Sequence, residues 1–383
     1  MGAGPAGLML GHLLHLSGIE SVIVENRSQE YVIERVRAGV LEQATVDLLI
    51  ESGVGERLQS KGLCHEGIYI NVFGQRRRID MAALTGRGIT VYGQNEVVKD
   101  LIGARASTGG RLFFEVSGVS VHDLDSRFPK IRFTKDGKAR EIRCDFIAGC
   151  DGFHGICRPS IPKGHLRIYE RVYPFAWLGI LANAAPSSPE LVYSRHNRGF
   201  ALFSMRSSTV TRLYLQCAPE EDLAKWPDDR IWEELLTRLA SDDGWKPEVG
   251  PITQKSVTGM RSFVVEPMRY GRMFLAGDSA HIVPPTGAKG LNLAIADIWR
   301  LSRALAEYYR SGCEELLNSY SDECLRRVWR TQRFSWWMTS MLHKSDSGNA
   351  FDERRQLAEL EYVMDSRTAM TSLAENYVGF PIR

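Results

Sequence analysis

A glycine-rich stretch, Gly2-Ala3-Gly4-Pro5-Ala6-Gly7, runs straight into Leu8, Met9, Leu10, Leu13 and Leu14, apolar positions at helical spacing. Pro5 falls in a first helical turn, where a missing N–H costs nothing, and Gly18 marks the stop. Next come Ser21-Val22-Ile23-Val24 and then Glu25, a short β-branched strand ending on an acid. The order is therefore turn, helix, strand, acid. Two later stretches also read as apolar strands: Cys144 to Gly149 leads to Asp151-Gly152, and Gly271 to Ala276 leads to Gly277-Asp278. The latter continues through Ala280-His281 into Pro284 to Ala294, a loop that feeds a helix N-terminus. Between them, Phe200 to Arg206 and Thr211 to Gln216 alternate with period two around a short Ser-Ser-Thr turn. This hairpin places Leu202, Ser204 and Arg206 on one face of its first strand, and Arg212, Tyr214 and Gln216 on one face of its second.

Composition narrows the class. With 383 residues, 44% of them hydrophobic and 25% charged, the chain is an ordinary globular protein and not a disordered or collagen-like one. A formal net charge of +2 sets up no one-signed field, so neither nucleic acid nor an anionic membrane is an expected partner. No apolar run reaches the ~18 residues of a membrane span, and no signal core follows the N-terminus, which together suggest the cytoplasm. The seven cysteines are widely spaced without a Cys-x-x-Cys, and read as thiols in a reducing compartment. His12 and His15 stand three apart on the first helix, but neither a cysteine nor a carboxylate completes a metal site, so no metal is expected. The length implies two or three domains.

The glycines carry chemistry. Gly2 suits a tight turn, Gly4 a backbone close to a pyrophosphate, and Gly7 a close helix–sheet contact, while the helix start offers free N–H groups to phosphates. Glu25, 23 residues after Gly2, is placed to accept the hydroxyl hydrogens of a ribose, and Asp278 to hold a polyol hydroxyl. A strand precedes the first glycine in such a domain. The numbering begins at Met1, so that strand is expected to be missing, either because the numbering starts at an internal methionine of a longer product or because the strand is lost. On the hairpin, hydroxyl, guanidinium and phenol suit a carboxylate, which an arginine fork grips by both oxygens. A one-sided antiparallel sheet would instead turn these residues to solvent, and the dinucleotide pattern is what favours a pocket.

Taken in this order, the residues resemble the single-component aromatic flavoprotein monooxygenases. The likeness extends through Arg37-Ala38-Gly39-Val40-Leu41-Glu42-Gln43, Arg198 to Leu202, Arg261 to Pro267, Phe334 to Ser340 and Glu375 to Gly379. The resemblance implies an α/β fold: a Rossmann-like FAD-binding domain, a β-sheet substrate domain and a helical C-terminal region. The corresponding boundaries are 1–167 for the FAD domain, 168–260 for the substrate sheet, 261–300 for a return to the FAD domain and 301–383 for the helices. It is strongest to members that convert 4-hydroxybenzoate to 3,4-dihydroxybenzoate through a flavin hydroperoxide, with FAD as cofactor, NADPH or NADH as reductant, O2 as co-substrate and a homodimer as the assembly. Another hydroxybenzoate, or a non-catalytic chain that holds no FAD, remain the alternatives.

Carried across, the family's roles put Gly2, Gly4, Gly7, Glu25, Arg37, Gln94, Asp278, Leu291 and Asn292 on the cofactor. Ser204, Arg206 and Tyr214 fall on the substrate carboxylate, and Tyr193 and the Pro285 carbonyl on its phenol. Tyr377 and His65 match a proton relay with Tyr193, and Arg212 a residue that steers flavin movement. Arg27, Tyr31, His154, Arg158 and Arg261 match positions near the nicotinamide. The relay has a chemical rationale: a phenol titrates near pH ~10, so making an electron-rich phenolate requires a route for its proton, and histidine changes charge near neutrality. Arg76-Arg77-Arg78 reads as a solvated turn or strand edge, and Trp329, Trp336 and Trp337 as helix packing or a dimer face.

Overall fold

The computed structural model describes residues 1–35, 39–344 and 349–382. The glycine turn folds as its pattern requires. Gly2 has φ +91°, and a Cβ there would lie 2.3 Å from the Cys150 carbonyl oxygen; a Cβ on Gly7 would lie 2.0 Å from that of Gly2. The helix Pro5–Leu16 follows. It packs on the helix Gly290–Ser311 in one apolar core that includes Leu8, Met9, Leu293 and Ile298, all buried. Burying each such side chain contributes roughly 2 kcal/mol.

Val22–Val24 runs parallel to Arg111–Phe113, and Ile147–Gly149 parallel to Met273–Leu275. Met1 and Gly2 lie between these two pairs: Gly2 N donates to Val24 O at 2.8 Å, Met1 N to Ala148 O at 2.9 Å, and Cys150 N to Met1 O at 2.9 Å. Where a preceding strand is expected to be missing, the backbone of these two residues links the parallel pairs.

The second body of structure is an eight-stranded sheet. Its spatial order is His281–Ile282, Ile252–Glu266, Arg167–Ala182, Thr211–Cys217, Gly199–Met205, Val192–His196, Gly67–Val72 and Gln75–Asp80. It crosses the boundaries expected from sequence. Gly67–Asp80, inside 1–167, supplies two strands because Gly67–Val72 pairs in parallel with Val192–His196, and Ile252–Glu266 continues past residue 260 to pair with Arg167–Ala182.

Alternation then gives the sheet two apolar faces. Ala201, Phe203, Leu213 and Leu215 pack under Ile231, Trp232, Leu235 and Leu239 of the helix Asp228–Leu239. Phe200, Leu202, Tyr193 and Trp177 face the helices Glu315–Leu342, Ala350–Asp365 and Arg367–Val378. The hairpin is therefore covered on both sides, and the solvent-facing reading of it is set aside. Gln75–Asp80 is an edge strand, and its arginines pair with acids: Arg76 with Asp243 at 2.7 Å, Arg77 with Asp365 at 2.5 Å, and Arg78 with Glu190 at 2.7 Å.

Candidate active site

Strand register builds the site. Ser204 stands opposite Arg212, and Leu202 stands between Tyr214 on one side and Tyr193 on the other. Gly179, opposite Tyr214, leaves the space that Arg212 fills; a Cβ there would lie 2.6 Å from an Arg212 guanidinium nitrogen. Arg206 reaches toward Gly39, where a Cβ would lie 2.9 Å from its Nη1. Burial pushes the Tyr214 phenol up, but hydrogen bonds and charge from Arg206 and Arg212 outweigh it and hold the phenol below its ordinary value. Arg212 Nε and Nη1 are buried with no hydrogen-bond partner among the described residues. Buried donors left unmatched are costly, so this end of the slot suits a carboxylate. Ser204 is buried beside it, its hydroxyl 3.3 Å from Met205 O.

The opposite end is phenolic. Tyr193 donates to Thr286 O at 3.1 Å, and its hydroxyl lies 2.5 Å from that of Tyr377. With Tyr193 donating to the carbonyl, Tyr377 donates to Tyr193. Burial pushes both phenols up, and each remains protonated at neutral pH. The adjacent Pro285 O accepts the Ala288 N–H at 2.9 Å in a tight turn. His65 is buried, and neither ring nitrogen has a hydrogen-bond partner among the described residues. Burial lowers it to about 4, against a smaller opposing effect of Glu190. The structure thus brings Tyr193 and Tyr377 together and leaves His65 without a direct hydrogen bond to either.

On the cofactor side, Gly4 caps the helix Pro5–Leu16, and a Cβ built on it would meet nothing within 4 Å. Glu25 is locked beside the turn, accepting Ala3 N and Arg27 N at 2.8 Å each. Gly290, at the start of its helix, is equally open. Asp278 is exposed next to Gly277, whose N–H donates to Asp297 at 2.9 Å. An open glycine cradle at a helix N-terminus with a fixed acid beside it fits the pyrophosphate and ribose of FAD. Gln94 begins the helix Gln94–Ser107, and Leu291 is half-buried. Asn292 spans Glu42 N at 2.9 Å and Val40 O at 3.0 Å, so its side chain holds the strand Val40–Glu42. Arg37 lies outside the described residues. Of the positions assigned to the nicotinamide, Arg27 stacks on Tyr31 at 5.1 Å. His154, Arg158 and Arg261 gather on the Phe153 ring at 5.0, 4.7 and 4.5 Å.

Two ionic clusters, one around Glu42 and one around Asp297, escaped the sequence reading. Lys289 donates to Glu42 at 2.8 Å and to Tyr377 O at 2.6 Å, and Arg327 reaches the same carboxylate at 3.0 Å. His281 lies 2.6 Å from Asp297, the acceptor for Gly277. Partners 16 to 285 residues apart leave no local pattern; the one signal was the presence of Lys289 and His281 within an otherwise apolar, glycine-rich stretch.

A family model described as FAD binding domain matches residues 1–335. The p-hydroxybenzoate hydroxylase of Acinetobacter baylyi is 52% identical over 382 residues, covering 100% of this chain and 94% of that protein. A 3-(3-hydroxy-phenyl)propionate/3-hydroxycinnamic acid hydroxylase of Mycolicibacterium gilvum is 24% identical over 84% of this chain, which spans 56% of that protein's length. The crystal structure of p-nitrophenol 4-monooxygenase from Pseudomonas putida superposes with a TM-score of 0.84 at 18% identity, covering 99% of this chain and 97% of that one.

Proposed function

The chain belongs to the FAD binding domain family and, within it, to the p-hydroxybenzoate hydroxylase group, and we propose that its two-ended slot is where 4-hydroxybenzoate becomes 3,4-dihydroxybenzoate. The reaction is 4-hydroxybenzoate + NAD(P)H + H⁺ + O2 → 3,4-dihydroxybenzoate + NAD(P)⁺ + H2O. FAD, when bound, supplies the redox chemistry, taking electrons from the nicotinamide and delivering one oxygen atom of O2 to the ring.

One observation carries this reading: a single sheet face presents cationic groups at one end and paired phenols at the other. Arg206 receives the carboxylate, with Ser204 and Tyr214 beside it, and Arg212, whose Nε and Nη1 are unmatched at the same end, steers the flavin. The substrate hydroxyl then meets Tyr193, whose position is held by Thr286 O and by Tyr377. Tyr193, turning its O–H from Thr286 O to the substrate, favours a developing phenolate, and the two tyrosine hydroxyls carry its proton toward His65, whose neutral ring has unmatched nitrogens. Burial of the slot between sheet and C-terminal helices keeps water from the reacting ring.

On the cofactor side, Gly2, Gly4, Gly7, Glu25, Gln94, Asp278, Leu291 and Asn292 frame FAD. The arginine and histidine group on Phe153, with Arg27 and Tyr31, receives the nicotinamide. The chain works as a homodimer in the cytoplasm, where reduced nicotinamide is supplied. Phe351 and Tyr362, eleven apart on the helix Ala350–Asp365 and 73% and 56% exposed, share a face suited to a second copy. The test is purified protein with FAD, NADPH or NADH and a panel of hydroxybenzoates. The expected result is 3,4-dihydroxybenzoate formed in step with nicotinamide oxidation; oxidation without a hydroxylated product defeats the proposal.

A further inference from the structure

Behind the slot lies a stack of rings to which the reaction assigns no task. His343, at the C-terminal end of the helix Glu315–Leu342, is 2% exposed. Its ring lies parallel to Phe175 at 4.6 Å between centroids and an interplanar angle of 7°, and it stacks on Phe200 at 4.4 Å. His343 Nδ1 lies 2.9 Å from the Thr339 carbonyl, so Nδ1 carries the hydrogen. That leaves Nε2 as an acceptor, and it receives the Trp177 indole N–H at 2.7 Å. Both nitrogens of the imidazole are matched, and its tautomer is fixed.

The partners of this stack are the walls of the slot. Trp177 packs on Tyr214 at 4.7 Å and stacks on Phe200 at 5.3 Å, and Phe200 in turn lies 6.2 Å from Tyr193. Thr339 holds the other end as well: its hydroxyl donates to the Thr286 hydroxyl at 2.9 Å, and the Thr286 carbonyl is the acceptor for Tyr193. One helical turn, Thr339 to His343, therefore reaches Tyr214 through His343 and Trp177, and Tyr193 through Thr286.

We propose that His343 is a positioning residue that sets the distance between the Tyr214 and Tyr193 ends of the slot, and so favours a benzoate whose hydroxyl stands opposite its carboxylate. This rests on reading the slot as the hydroxybenzoate site. His343 touches neither substrate nor FAD. It acts by supplying the acceptor that Trp177 needs and by filling the space between Phe175 and Phe200. Without that acceptor the buried indole N–H is unmatched, and the Trp177 ring turns to find another partner, carrying Tyr214 with it.

The test compares the holoenzyme with His343→Phe, His343→Gln and Trp177→Phe, measuring kcat and KM for 4-hydroxybenzoate and 3-hydroxybenzoate alongside FAD content. Phe keeps the ring and loses the acceptor. Gln loses the ring but can accept from Trp177 and donate to Thr339. His343→Phe and Trp177→Phe are expected to raise KM for 4-hydroxybenzoate by about tenfold, with a smaller change in kcat and a narrowed preference over the 3-hydroxy isomer. His343→Gln should restore KM to within about threefold of the parent, as expected when the hydrogen bond dominates over ring volume. The proposal is overturned if His343→Phe retains the parent KM and preference, or if Gln is as impaired as Phe. Should His343→Phe fail to hold FAD, Trp177→Phe decides on the same readouts. An Arg206→Lys protein with parental KM for 4-hydroxybenzoate would instead sink the slot reading itself.

Discussion

The hydroxyls of Tyr193 and Tyr377 lie 2.5 Å apart although 184 residues separate them in the chain. One comes from the sheet strand Val192–His196 and the other from the last helix, Arg367–Val378, so the pair forms only when the C-terminal helices dock on the sheet. Packing at this seam and proton handling are the same contact.

Tyr377→Phe deletes the outer hydroxyl and keeps the ring. Substrate affinity should change little, because Tyr193 retains Thr286 O. Formation of 3,4-dihydroxybenzoate should fall by about 10- to 100-fold, in the range of a lost proton-transfer group. Product and peroxide yield per nicotinamide oxidised measure this, and unchanged product yield would remove Tyr377 from the relay.

Arg206→Lys keeps a positive charge and loses the planar fork. Because a carboxylate is gripped by two parallel N–H groups, KM for 4-hydroxybenzoate should rise by roughly 5- to 100-fold. Steady-state kinetics provide the check, and an unchanged KM would remove Arg206 from the carboxylate site.

Gly2 and Gly4 should respond differently to a methyl group. Gly4→Ala points into open space and leaves the fold intact, but intrudes where the dinucleotide backbone would pass, so FAD affinity falls while the melting temperature of the FAD-free protein holds. Gly2→Ala drives a Cβ into the Cys150 carbonyl from a φ of +91°, and lowers the stability of the FAD-free protein itself. Calorimetry with and without FAD separates the two.

Acid should weaken the fold through His65 and His343. Burial lowers His65 to about 4 and His343 to about 3, below the ordinary 6.5. Between the ordinary and folded values the unfolded chain binds a proton that the folded chain refuses, so this stabilisation is present above pH 6.5 and is lost as pH falls toward 4. For His65 the loss is on the order of 3 kcal/mol by pH 4. His281 runs the other way: burial lowers it, but Asp297 outweighs burial and holds it above its ordinary value, so its contribution is present at acid pH and fades as pH rises through the folded value. His65→Phe should flatten the fall in melting temperature between pH 7 and pH 5, and an unaltered slope would contradict the assignment.

Local features were legible in the sequence. The glycine turn, the helix from Pro5 and the strand before Glu25 are dictated by neighbours, and the structure forms all three. The alternation that put Ser204 on one strand and Arg212 with Tyr214 on the other was legible for the same reason. Contacts made by docking were not. Nothing near Gly67 announces that its strand pairs with Val192–His196, and nothing near Glu42 announces Lys289 and Arg327. That Tyr193 meets Thr286 O was not legible either, because the turn closed between Pro285 O and Ala288 N decides which way that carbonyl faces, a backbone detail that residue types do not encode.

The eight-stranded sheet draws on four separate stretches of chain, around residues 67–80, 167–217, 252–266 and 281–282. A protein threaded in this way has no severable half. Heat or denaturant should take it apart in one cooperative step, and a nick in any one stretch would loosen both the cradle and the slot. Evolution of a new substrate preference on this scaffold therefore has to proceed by side-chain exchange on the sheet face, since swapping a contiguous segment would unravel the partner strands that build the slot.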